Sequence, residues 1–129
     1  MSKRVLIIED DLGIVAYWTK LFSMTDKTIK VETTSDEIEA RLMIESSIRN
    51  YMQYDFILSD IFLNDHGNGL EIWKSFHNRL TSSVLIMSTI NREEMERMLG
   101  DKVSSPLFIQ KPVDIVNSML VVKAVTNDL

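Results

Sequence analysis

Five apolar runs of strand length alternate with stretches of helical spacing along this chain. Val5-Leu6-Ile7-Ile8 is short, continuous and rich in β-branched residues, which predicts a buried parallel strand. It ends in Glu9-Asp10-Asp11, and the spacing of Val15, Trp18 and Phe22 predicts a helix over about Leu12–Ser23. Ile29 and Val31 alternate with polar residues across Thr28–Thr33, the pattern of an edge strand. Thr34-Ser35-Asp36-Glu37 has the form of a capping box with Thr34 as N-cap, opening a helix that carries Ile38 and Leu42 on one face and ends between Ser46 and Tyr51. Phe56-Ile57-Leu58 is the third run, and it leads to Ser59-Asp60. A helix from about Gly69 then turns Leu70, Trp73, Phe76 and Leu80 inward. Val84–Met87 is a fourth strand, ending in Ser88-Thr89. Asn91 through Glu94 forms a second capping box, and Gly100 stops its helix. Leu107–Ile109 is the fifth strand, followed by Gln110-Lys111-Pro112. The last helix, about Val113–Asn127, has Ile115, Met119 and Val122 on one stripe and Val116, Leu120 and Val125 beside it.

Such alternation predicts one α/β domain with a parallel sheet covered on both faces. Right-handed crossovers leave few topologies for it. The length, 129 residues, suits a single domain over 1–129 with no output domain. The net charge of −5 argues against nucleic-acid binding by this domain alone and leaves room for a cation. With no cysteine there is neither a disulfide nor a thiolate metal site, and a cytoplasmic setting is expected. No apolar run approaches the roughly 20 residues of a membrane span.

Ligands of open parallel sheets bind outside the carboxyl ends of the strands. Four of the five runs end there in a chemically useful residue: Glu9 and Asp10, Asp60, Ser88, and Lys111. Three carboxylates in a small space need a cation or a proton, and one lysine offsets only part of the charge. A hard divalent ion held by carboxylates, a carbonyl and water suits the rest, which favours Mg2+ over zinc. An aspartate flanked by such an ion and a lysine is equipped to accept a phosphoryl group.

The segments Ile7–Asp11, Ile57–Leu63, Ile86–Thr89 and Phe108–Pro112 together resemble the receiver domain of bacterial two-component response regulators, over essentially the whole chain. The resemblance implies a flavodoxin-like (βα)5 three-layer sandwich with strand order 2-1-3-4-5. It implies a switch rather than an enzyme, catalysing only its own phosphorylation and dephosphorylation. Asp60 would take a phosphoryl group from the phosphohistidine of a sensor histidine kinase or phosphotransfer protein. Glu9, Asp10, Asp60 and the Phe62 carbonyl would hold Mg2+. Ser88 and Lys111 would bind the phosphoryl oxygens, and the Lys111–Pro112 bond would be cis. Ser88 and Phe108 would form the switch, reshaping the face of the fourth helix, fifth strand and fifth helix for a homodimer or an effector. Phe62, Thr89 and Ile90 would tune access of water, and their bulk implies slow autodephosphorylation. Exposure of Val116, Leu120, Val121 or Val125 would mark the partner surface.

Three departures are visible. Asn64 stands where the family has proline, the loop after Asp60 is one residue longer, and the segment before the third strand is long. His66, in that loop, reads as a solvated residue. Competing readings weaken on single residues. A dehalogenase-type phosphatase needs an acid where Phe62 stands, and Glu9-Asp10-Asp11 is no flavin phosphate loop. A degenerate receiver that only binds partners is opposed by the intact set of Asp10, Asp60, Ser88 and Lys111.

Overall fold

A computed structural model describes residues 2–63 and 66–126. Asn64, which stands where the family has proline, lies outside the described residues. The elements run β1 (Arg4–Ile8), α1 (Leu12–Thr25), β2 (Lys30–Thr34), α2 (Glu37–Arg49), β3 (Phe56–Asp60), α3 (Gly69–Phe76), β4 (Ser83–Ser88), α4 (Arg92–Leu99), β5 (Leu107–Gln110) and α5 (Ile115–Thr126). All strand pairs are parallel and the order is β2-β1-β3-β4-β5, so β2 is an edge strand, as its alternation predicts.

Strand side chains alternate between faces, and the apolar runs use both. Leu6, Ile8, Ile57, Val84 and Ile86 pack under α2, α3 and α4 with Ala40, Ile44, Leu70, Phe76, Met95 and Leu99. Val5, Ile7, Phe56, Leu58, Leu85 and Met87 face α1 and α5, meeting Trp18, Leu21, Phe22 and Val122. Because neighbouring strands pair in register, with Ile7 opposite Leu58 and Leu58 opposite Leu85, both cores run unbroken across the central strands. The chemically useful residues therefore finish on one rim.

The helices correct four local expectations. Thr34 does not cap α2. It is the buried last residue of β2, and Asp36 is the cap, its side chain accepting from the Glu39 amide at 2.7 Å. The capping register slips by two because Thr34 is needed by the sheet. Ile38 and Leu42 do not face the core, being 69% and 64% exposed, while Ala40, Ile44 and Ser47 point inward. Helix α3 stops at Phe76, and Leu80 packs on the core from the loop beyond. On α5, Val122 and Ser118 are buried whereas Ile115, Val116 and Leu120 are exposed, so the expected stripes are only partly inward. The Asn91 cap stands, accepting from the Glu94 amide at 2.9 Å, and Gly100 closes α4 at φ +89°, a conformation suited to glycine.

Candidate functional site

Asp60 is the last residue of β3, between β1 and β4, and is buried with 8% exposure. Its Oδ1 accepts from the Ile61 amide at 2.7 Å. Its Oδ2 accepts from Lys111 Nζ at 3.0 Å, and the same ammonium donates to Glu9 Oε1 at 2.9 Å. Lys111 gets there because its amide continues the β4–β5 ladder, donating to the Ser88 carbonyl at 2.8 Å. The Lys111–Pro112 peptide is cis.

Glu9 follows β1 directly and its side chain is fully buried. Burial pushes its carboxyl up to about 7, neighbouring Asp60 adds to the rise, and Lys111 opposes it. For Lys111, burial works against the charge. The hydrogen bonds to Glu9 and Asp60 outweigh it and hold the ammonium above its ordinary value. Asp10 is half-buried, and one carboxylate oxygen from each of Glu9, Asp10 and Asp60 lies within 4.8 Å of the others. Glu9 Oε2 is buried and has no hydrogen-bond partner among the described residues. A buried carboxylate oxygen left without a donor is costly, and a cation among three hard oxygen donors would satisfy it. The donor set fits Mg2+.

Ser88 is buried at the end of β4, and its Oγ accepts from the Ile90 amide at 3.4 Å. Phe108 is half-buried on β5, against the core below α4, with the Arg92 guanidinium 5.5 Å over its ring. Phe62 is half exposed, Thr89 exposed and Ile90 half-buried. His66 is exposed at φ 60°. Beside this rim, α1 and the residues after β5 enclose an apolar cleft of about 490 Å³. Ile14, Trp18, Met87 and Pro112 line it, with Lys111 on its wall.

Three contributors are added by the structure to those expected from the sequence. Gly69 opens α3 against Asp60: a Cβ there would overlap the Asp60 carbonyl oxygen and stand 2.6 Å from Ser59 Oγ. Asn68 caps α3 through its side chain, accepting from the Leu70 amide at 2.7 Å. An Asn-Gly pair ahead of an apolar helical run was the available signal for both. Glu37 reaches the same loop from a distant part of the chain, with no local signal.

A family model described as response regulator receiver domain matches residues 5–123, and the chain belongs to that family. It is a receiver domain of two-component signalling, a phosphorylation-dependent signalling module. Among solved structures, it is similar to a two-component response regulator from Clostridium difficile, at 24% identity and TM-score 0.72, covering 97% of this chain and 96% of that one. The phosphorylated cyanobacterial phytochrome response regulator RcpA matches at 21% identity and TM-score 0.74, covering 98% and 93%. The beryllofluoride-activated NtrC4 receiver domain dimer matches at 17% identity and TM-score 0.72, covering 97% of each chain. No curated protein matches. No described helix is long and apolar enough to cross a membrane.

Proposed function

We propose that Asp60 is the phosphoacceptor of a Mg2+-dependent switch, loaded from the phosphohistidine of a sensor histidine kinase or phosphotransfer protein. One observation carries this reading: a single ammonium, Lys111 Nζ, bridges Asp60 and Glu9 inside a cluster of three carboxylates. In the transfer a carboxylate oxygen of Asp60 attacks phosphorus, the P–N bond breaks, and its electron pair returns to the imidazole nitrogen. Lys111 is positioned to follow the charge onto the phosphoryl oxygens, and the Ser88 hydroxyl to donate to one of them. Glu9, Asp10, Asp60 and the Phe62 carbonyl would hold Mg2+, which would supply neutralisation of the developing negative charge. The donor approaches over the apolar cleft beside Lys111, whose wall suits a helix carrying the phosphohistidine.

The output follows from packing. Ser88 moving toward a phosphoryl oxygen vacates space, and a close-packed interior responds by rotating Phe108 inward. That releases the Arg92–Phe108 stacking and reshapes the α4-β5-α5 face. The protein thus catalyses only its own phosphorylation and dephosphorylation.

The test is incubation with acetyl phosphate or beryllofluoride, with and without Mg2+, followed by intact mass and tryptophan fluorescence. Trp73 is suited to report, since its Nε1 donates to the Ser104 carbonyl at 2.8 Å and links α3 to the loop before β5. Wild type gains one phosphoryl group only with Mg2+, and Asp60→Ala gains none. Labelling that persists in Asp60→Ala defeats the assignment.

A further inference from the structure

The loop leaving Asp60 returns through a narrow neck. The Gly69 amide donates to the Ile61 carbonyl at 2.8 Å, and the Leu63 amide to the Gly67 carbonyl at 3.2 Å. Between these bonds Phe62 and Asn68 face each other as an antiparallel bridge. In such a non-hydrogen-bonded pair both residues turn their N–H and C=O groups away from one another. The Asn68 N–H therefore leaves the neck on one side, and the Phe62 carbonyl on the other.

Glu37, the first residue of α2, receives that N–H. Its Oε1 accepts from the Asn68 amide at 2.7 Å, a contact spanning 31 residues. Its Oε2 accepts from Arg41 Nε at 2.7 Å, and Arg41 in turn donates to Ser75 Oγ on α3 at 2.9 Å. The Glu37 and Arg41 side chains are only 21% and 34% exposed, so this charge-assisted strap is partly shielded from water. It joins α2 and α3 and grips the neck directly opposite Phe62.

We propose that Glu37 is a positioning residue for the metal site. By holding Asn68, it fixes the leg of the neck against which Phe62 is paired, and so aims the Phe62 carbonyl. This rests on the phosphoacceptor reading, in which that carbonyl is a Mg2+ ligand. The physical basis is general: groups that orient a ligand without touching the metal still set its affinity.

The experiment is a Mg2+ titration followed by amide NMR, with hydrogen exchange of the Asn68 amide measured without metal. Glu37→Ala is expected to weaken Mg2+ binding by roughly tenfold and to accelerate Asn68 exchange, while Glu37→Gln, which keeps an acceptor for that amide, restores most of both. Glu39→Ala removes an equivalent first-turn acid from α2 that does not reach the loop, and leaves both unchanged. Unaltered Mg2+ affinity in Glu37→Ala, or an equal loss in Glu39→Ala, overturns the inference alone. Should Glu37→Ala not fold, Arg41→Met, which severs the strap from Ser75, must weaken Mg2+ binding in the same direction. Unchanged affinity there overturns the inference. A wild type that does not respond to Mg2+ removes the phosphoacceptor reading, and this inference with it.

Discussion

At the scale of single residues the site is an electrostatic compromise. Lys111 is shared between Glu9 and Asp60, so neither carboxylate has a cation to itself. Burial, then neighbouring Asp60, raise the Glu9 carboxyl above its ordinary value and Lys111 opposes them, so its charged form is held only against a cost. Phe62 and Ile90 offer no group that could orient water for in-line attack on an acyl phosphate. The double variant Phe62→Asn, Ile90→Glu is therefore expected to shorten the phosphoryl half-life of the loaded protein by roughly a hundredfold, the low end of a positioned proton-transfer contribution. A radiolabel or intact-mass time course checks it, and a half-life equal to or longer than wild type refutes it. Gly69 makes the opposite kind of contribution, through what it lacks. Gly69→Ala must displace the Asp60 backbone, and is expected to cost about 1–3 kcal/mol in urea unfolding. Unchanged stability would show that α3 can retreat from the site.

At the scale of elements, strand composition and register account for nearly everything. A one-residue slip in β3 would exchange Ile57 and Leu58 between the two cores and turn Asp60 out of the site, so register and chemistry are locked together. The strand starts have their own tie. Arg4 on β1 pairs with Glu32 on β2 at 2.9 Å and lies 4.6 Å over the ring of Tyr54, just before β3. The Tyr54 hydroxyl donates to Glu32 Oε1 at 2.9 Å. Burial first, then the Glu32 carboxylate, pushes this phenol from 10.0 up to about 12. The folded state thus favours the neutral phenol. That contribution to stability is complete below pH 10 and is lost as pH rises through about 12. Ultraviolet titration, with the Tyr54 signal assigned by Tyr54→Phe, should place its midpoint near 12, and Glu32→Gln should lower it. An unmoved midpoint in Glu32→Gln would assign the whole shift to burial.

At the scale of the molecule, helix α5 carries an exposed apolar patch. Ile115, Val116 and Leu120 are exposed side by side, at 55%, 66% and 60%, on a helix that otherwise closes the sheet. Together with β5 and α4 they belong to the face proposed to change on phosphorylation, and apolar area there favours association. The beryllofluoride-loaded protein is expected to be a dimer by light scattering, and Leu120→Glu to keep it monomeric. A loaded wild type with the mass of one chain would leave an effector as the partner of this face.

The alternation of strands and helices along the chain, the two-sided sheet and the acids at its rim were legible from local pattern, whereas the lateral strand order came only with the family resemblance. Side-chain alternation and the placement of Glu9, Asp10, Asp60, Ser88 and Lys111 just after apolar runs depend only on neighbours in sequence. Helix faces were less legible. Thr34 could equally cap a helix or end a strand, and only pairing with β1 decides which. The exposure of Ile38 and Leu42, the approach of α3 to Asp60 at Gly69, and the grip of Glu37 on Asn68 all belong to the tertiary structure. Each depends on what a distant segment brings to the same place, and periodicity along one segment carries no information about that.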